Sequence, residues 1–117
     1  MPYIKSGDGR REALQRGEPA LLAGELNYQI FYFIKHVGNY REEDNDNMIK
    51  GFVEQFLGEK RNYQKYNDMT GALIRCYVEI KRRFNLEADI LLEIAGSYDD
   101  EIAKYEDLKC LENQDVE

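Results

Sequence analysis

The chain has 117 residues, of which 43% are apolar and 33% are charged, and its formal net charge is −7. This length and apolar content fit one domain with its own core, so we expect residues 1–117 to form a single domain. The acidic balance argues against a general nucleic-acid-binding protein, because such binding depends on clustered lysine and arginine. The sequence contains no apolar run long enough to cross a bilayer and does not begin like a signal peptide. We therefore expect a cytoplasmic protein without a membrane contact.

Three helices are predicted in the first half of the chain. Arg10 to Arg16 can form two helical turns, which Gly17 ends. Apolar residues then recur on one helical face from residue 20 or 24 to residue 37 and predict a second helix. Residues 41–47 are polar and of mixed charge, which indicates a connector. Between residues 48 and 57, apolar side chains repeat at three- and four-residue intervals, which predicts a short third helix.

The strongest helical pattern begins near Gln64. An apolar stripe runs from Tyr66 to Phe84 and can continue to Ala95. If it is unbroken, it predicts one helix of about 33 residues, roughly 50 Å in length; a break at Asn85 would instead give two helices. A helix of this length is typical of the spine of a bundle or of a homo-oligomer contact. We predict an all-α bundle of four or five helices with this helix as its spine.

The last residues of the chain carry most of the negative charge. Residues 99–117 contain eight acidic residues and two lysines, which account for −6 of the net charge of −7. Ser97 or Asp99 can cap a last helix in this segment. Its apolar residues have helical spacing, which predicts that the segment docks on the body of the protein through Tyr105. We expect Tyr105 to be substantially buried.

Few residues have the spacing of a catalytic or metal site. His36 is the only histidine, and Gly7-Asp8-Gly9 lacks the pattern of a phosphate-binding loop. The sequence therefore predicts no cofactor and no catalytic residue. It does not decide whether the protein is an enzyme, but it favours a protein without enzymatic activity. A magnesium-dependent nucleotide hydrolase ranks third among the functions. It would require Glu101 with Glu106 or Asp107 to approach Glu79 or Glu87.

A charged cluster on the long helix has two interpretations. Glu79 precedes Arg82 and Arg83 by three and four residues, the spacing of intrahelical ion pairs. Alternatively, the two arginines receive an anion. That anion would be either Glu106 or Asp107 of the same chain, or a phosphate bound together with Tyr28 and Tyr105. The second case would make the protein a small-ligand or nucleotide-binding protein.

Four blocks of the sequence carry a resemblance to a known family. They are Met1-Pro2-Tyr3-Ile4, Leu26-Asn27-Tyr28-Gln29-Ile30, the run from Tyr66 through Gly71-Ala72-Leu73 and Glu79 to Arg82-Arg83, and the closing Tyr105-Glu106-Asp107-Leu108-Lys109 with Glu112-Asn113-Gln114-Asp115-Val116. In this combination the chain resembles a small family, a domain of unknown function, found in bacteria and their phages. In that family the closing block follows soon after the double arginine, whereas residues 85–104 intervene here. The resemblance implies a compact helical protein of phage context, which would act in the host cytoplasm.

The leading functional hypothesis is a non-enzymatic binding protein. We expect it to act on a host or defence factor with a basic surface, through its acidic helical face. The candidate residues for ligand or partner binding are Tyr28, Glu79, Arg82, Arg83, Tyr105, Glu106, Asp107 and Lys109.

Overall fold

The computed structural model describes residues 9–37 and 43–105, which form helices and no strand. The helices are α1 (Arg10–Gln15), α2 (Ala23–Val37), α3 (Glu43–Leu57), α4 (Tyr63–Phe84), α5 (Asp89–Gly96) and α6 (99–105). The predicted all-α bundle is confirmed. The described residues contain six helices rather than four or five, because the long apolar stripe is divided between α4 and α5.

Helix α4 is the spine of the bundle, as the sequence predicted. Asn62 caps its start, since its side chain accepts a hydrogen bond of 2.8 Å from the backbone N–H of Lys65. Its buried stripe packs mainly against α2 and α5. The stripe comprises Tyr66, Met69, Ala72, Leu73, Cys76 and Ile80. Burial raises the pKa of the Cys76 thiol, so this cysteine is a core residue rather than a reactive one.

The stripe breaks at Asn85, one of the two alternatives that the sequence left open. Asn85 has a φ of 53° and a ψ of 36°, and its N–H donates to the carbonyl of Lys81 at 2.9 Å. This left-handed conformation is a common way to end a helix. The chain then turns back, and Ala88, Leu91 and Ile94 continue the stripe as buried residues that belong to the same core.

The start of α3 differs from the sequence prediction. Helix α3 begins at Glu43, so the predicted connector at residues 41–47 is wrong from residue 43 onward. Glu43, Asp44 and Asp46 occupy its first turn, where the helix dipole favours negative charge. A polar first turn shows no apolar period, which is why the pattern missed it. Helix α6 begins at residue 99, close to the two predicted caps, Ser97 and Asp99. The hydroxyl of Ser97 donates to the carbonyl of Ile94 at 2.6 Å, at the end of α5.

A bidentate ion pair connects helix α1 to the start of α2. Arg10 donates from Nε and Nη2 to the two carboxylate oxygens of Glu25, each at 2.7 Å. The same carboxylate accepts the backbone N–H of Leu21 at 2.8 Å. The hydrogen bond from Arg10 is the main cause that lowers the pKa of Glu25 to about 2. The pair therefore stabilises the fold when Glu25 is ionised.

The stability that Glu25 contributes should depend on pH. Its pKa is lower in the folded chain than the ordinary value of 4.5. The contribution is therefore complete above pH 4.5 and is lost as the pH falls towards 2. We expect Glu25→Gln to lower the free energy of unfolding by about 1 kcal/mol at pH 7, and by progressively less below pH 4.5. Urea unfolding at several pH values measures this.

A matched control for Glu25 is Glu18→Gln. Glu18 pairs with Arg16 at 2.9 Å, but both side chains are more than half exposed, so its replacement should have little effect at any pH. A Glu25→Gln difference that stays constant from pH 7 to pH 2.5 would contradict the assignment.

Asn85 offers a test of the helix break. A side chain with a Cβ disfavours the left-handed region, which asparagine tolerates better than alanine and glycine adopts freely. We expect Asn85→Ala to lower the free energy of unfolding by about 1 kcal/mol, and Asn85→Gly to leave it nearly unchanged. Urea unfolding measures both variants. Equal losses of unfolding free energy would show that the left-handed backbone conformation at residue 85 does not determine the effect.

Candidate functional site

A cluster of three tyrosines holds the chain after α5 against the start of α4. The ring of Tyr66 lies 5.9 Å from that of Tyr98 and 5.6 Å from that of Tyr105, centroid to centroid. The hydroxyl of Tyr66 donates to the carboxylate of Glu101 at 2.7 Å. We call Tyr66, Tyr98 and Tyr105 the tyrosine cluster. It joins α4 to α6 and to the turn before α6.

Arg61 connects the tyrosine cluster to α3. Its guanidinium donates to the carboxylate of Glu54 at 3.0 Å and to the carbonyl of Gly58 at 2.9 Å. The hydroxyl of Tyr98 donates to the same carboxylate. These hydrogen bonds, with Tyr98 contributing most, lower the pKa of Glu54 below its usual range. The network ties α3, the loop before α4 and the end of α5 together.

The described part of the acidic end, residues 99–105, docks on the body of the protein. Ile102 and Tyr105 pack against the core, and the hydroxyl of Tyr105 lies 3.4 Å from the carbonyl oxygen of Arg61. Docking through Tyr105 is therefore confirmed, although its side chain is half-buried rather than fully buried. Three further candidate residues, Glu106, Asp107 and Lys109, lie outside the described residues.

The cluster at Glu79 contains intrahelical ion pairs. The Glu79 side chain is only 3% exposed, and it accepts hydrogen bonds from Arg82 at 2.8 Å and from Arg83 at 3.4 Å. Arg75 approaches its other oxygen at 3.8 Å. The hydrogen bond from Arg82 is the main cause that lowers the pKa of Glu79 to about 2. Pairing within the helix, one of the two interpretations drawn from the sequence, is confirmed.

The structure does not bring the candidate tyrosines to Arg82 and Arg83. Tyr105 contacts Tyr66, and the 16 residues from Tyr66 to Arg82 correspond to about 24 Å along α4. Tyr28 faces α1 instead, where its hydroxyl accepts a hydrogen bond of 2.8 Å from Gln15. These residues therefore do not surround one anion.

The described carboxylates considered for a magnesium site are each paired with another group. Glu101 accepts from Tyr66, Glu79 accepts from Arg82, and Glu87 pairs with Lys81 at 3.2 Å. Glu106 and Asp107 lie outside the described residues. In the ranges 9–37 and 43–105, no group of three or more His, Cys, Asp or Glu residues could hold a metal ion. The geometry therefore offers no support for metal-dependent hydrolysis among these residues.

A groove between α4 and α5–α6 is the candidate site that the sequence prediction missed. Its volume is about 360 Å³. Ile74 of α4 and Leu92 of α5 contribute to its wall, and they are 46% and 42% exposed. Val78, one helical turn after Ile74, is 43% exposed. The groove is lined by Tyr63, Asn67, Thr70, Ile74, Leu92, Ala95, Gly96, Asp99 and Ile102.

The lining of this α4–α5 groove is mixed in polarity. Ile74 and Leu92 are apolar, whereas Asn67 and Asp99 are polar. The hydroxyl of Thr70, which also lines the groove, is buried without a hydrogen-bond partner. The spacing of Ile74 and Val78 beside the buried stripe is visible in the sequence, but the groove exists only because α5 returns along α4.

Comparisons with known proteins do not identify this site. No family model matches the chain, and no curated protein or solved structure is significantly similar to it. Across the described ranges, no helix combines the length and the apolar character needed to cross a membrane. The interpretation of the α4–α5 groove therefore depends on its geometry and chemistry.

The docking of α6 through Tyr105 can be tested by truncating this side chain. We expect Tyr105→Ala to lower the free energy of unfolding by about 1–2 kcal/mol, because a half-buried ring is removed from the tyrosine cluster. Tyr105→Phe keeps the ring and loses only a long contact with Arg61, so its effect should be small. Thermal and urea unfolding measure both. An unchanged stability of Tyr105→Ala would contradict the docking.

Proposed function

We propose that this protein is a non-enzymatic interaction protein that binds a helix of a partner protein in the α4–α5 groove. The observation that carries the proposal is the exposure of two large apolar side chains, Ile74 and Leu92, in the wall of a concave surface. Val78, one helical turn after Ile74, adds a third exposed apolar side chain on α4. Isolated exposed apolar residues are common, but neighbouring ones that border a groove are typical of a binding surface. A groove of this kind suits an amphipathic helix, whose apolar residues recur every three or four positions.

The charges near the α4–α5 groove favour a basic partner helix. Asp99 lines the groove, and Asp89, Glu93 and Asp100 of α5 and α6 are exposed close by in the sequence. The arginines of α4 are directed to Glu79 instead. A partner helix with lysine or arginine beside its apolar stripe would complement this surface. In view of the family resemblance, we propose that the partner is a host or defence protein and that the chain is phage-encoded.

Site-specific photo-crosslinking tests the proposal. A benzophenone amino acid placed at position 92 should give one discrete cross-linked protein in the cells that naturally contain this chain. The same group at position 21 is the matched control, because Leu21 is 66% exposed and does not line the groove. Ile74→Asp and Asp99→Lys, each added to the position-92 variant, should abolish the product while the helical circular dichroism signal is retained.

Three results would overturn the proposal. The first is no product from position 92, and the second is the same product from position 21. The third is a product that contains only a second copy of this chain, which would make the α4–α5 groove a self-association surface. Mass spectrometry of the product, together with sedimentation of the purified protein, distinguishes these cases.

A further inference from the structure

The two faces of helix α6 have different roles. Asp99 and Ile102, which are nearly one helical turn apart, line the α4–α5 groove. Glu101 and Tyr105 of the same helix instead contact Tyr66 of α4. Neither of these two residues, nor Tyr66, lines the groove. The position of one groove wall is therefore set by contacts outside the groove.

Helix α6 depends on these contacts for its existence. It has seven residues, and an isolated helix shorter than about 12 residues is marginal in water. The hydrogen bond of 2.9 Å from the backbone N–H of Ile102 to the carbonyl of Tyr98 is therefore stable only while α6 is docked. Tyr98 itself is anchored separately, to Glu54 of α3. Release would thus unwind α6 and withdraw Ile102 from the groove, without moving the end of α5.

The hydroxyl of Tyr66 makes the most specific contact with α6. The ring of Tyr66 is buried, with the residue 3% exposed, so the core fixes its position. The hydroxyl donates to the Glu101 carboxylate at 2.7 Å, and bonds of this kind to charged groups are stronger than neutral ones. By comparison, the hydroxyl of Tyr105 lies 3.4 Å from the carbonyl oxygen of Arg61. The bond between Tyr66 and Glu101 therefore determines where α6 lies along α4.

We propose that α6 is a movable wall of the α4–α5 groove and that Tyr66 and Glu101 are its positioning residues. This inference rests on the proposed binding of a partner helix. With α6 docked, Asp99 and Ile102 complete the groove and the partner helix binds tightly. With α6 released, the groove loses this wall and the partner dissociates. Because such coupling is reciprocal, a bound helix also stabilises the docked α6.

Amide hydrogen exchange tests the release of α6 in the purified protein. The exchange rate of the Ile102 amide should hardly depend on low concentrations of urea, because release of one short helix exposes little surface. Leu73, in the buried stripe of α4, should exchange more slowly and with a strong dependence on urea, since its exchange requires global unfolding. The same urea dependence at both amides would show that α6 opens only when the whole chain unfolds, and would overturn the proposal.

Two variants remove the bond between Tyr66 and Glu101 from opposite sides. Tyr66→Phe keeps the buried ring, and Glu101→Ala keeps the hydroxyl. Each should raise the exchange rate of the Ile102 amide about tenfold, and the double variant should raise it little further, because both changes break the same bond. Tyr28→Phe is the matched control. It removes a tyrosine hydroxyl from α2, where the partner is Gln15, and should leave the Ile102 rate unchanged.

The coupling to a partner is tested by releasing α6 completely. Glu101→Ala with Tyr105→Ala removes both the hydrogen bond and the ring, and should leave the α6 amides unprotected. Added to the position-92 benzophenone variant, this pair should lower the yield of the cross-linked product at least about fivefold, because most molecules then lack the α6 wall. Tyr28→Ala with Glu12→Ala is the matched control. It makes the same chemical changes on α2 and α1, and should leave the yield unchanged.

The outcomes separate the movable wall from helix binding itself. The positioning role is wrong if the Ile102 rate is the same in both single variants, or if α6 stays protected when residues 101 and 105 are both alanine. An undiminished product from a chain with α6 released would overturn the movable wall and leave helix binding intact. If the chain without substitutions at 101 and 105 gives no product, helix binding is refuted, and the coupling to a partner with it.

Discussion

The reversal of the chain at Asn85 is the constraint on which the second half of the structure depends. An uninterrupted stripe from Tyr66 to Ala95 would form a rod with an apolar side too long for a bundle of this size to cover. The left-handed residue at position 85 folds this rod into two antiparallel segments. The apolar side of α5 is then buried against α4, as the complete burial of Ala88 and Leu91 shows. The chain therefore buries its own apolar stripe by folding α5 back onto α4.

The same reversal determines where the acidic end begins to dock. Helix α5 runs back along α4, so the residues that follow it arrive at the start of α4 and meet Tyr66. Arg82 and Arg83 are left at the other end of that helix. The intervening residues 85–104 carry Tyr105 to the opposite end of α4.

Much of this fold could be predicted because its main helices have a regular apolar period. The last residue of α2 agrees with the prediction, and the start of α4 agrees with it to within one residue. Helix α2 begins at Ala23, between the two predicted starts at residues 20 and 24. The first turn of α3 was missed because it is wholly polar. The break at Asn85 could not be decided, since asparagine occurs both inside and at the ends of helices and the apolar period runs on past it.

The candidate sites were harder to predict because they depend on contacts without a sequence signal. The hydrogen bond that positions α6 joins Tyr66 to Glu101, which are 35 positions apart in the chain. No local spacing connects two residues at that separation. The ion pair of Arg10 and Glu25 likewise depends on how the loop from α1 to α2 turns. In contrast, the pairing of Glu79 with Arg82 and Arg83 was predictable, since it lies within one helix.

The burial of Glu79 also bears on the kind of partner that this protein can bind. A carboxylate with a side-chain exposure of 3% needs compensating charge, and α4 provides it with three of its own arginines. An anionic ligand at this end of α4 would have to compete with Glu79 for the same guanidinium groups. Near the α4–α5 groove, by comparison, Asp99 and Asp100 are exposed. The distribution of charge on α4, α5 and α6 therefore supports the proposal of a basic partner at the groove more than that of an anion at the arginines.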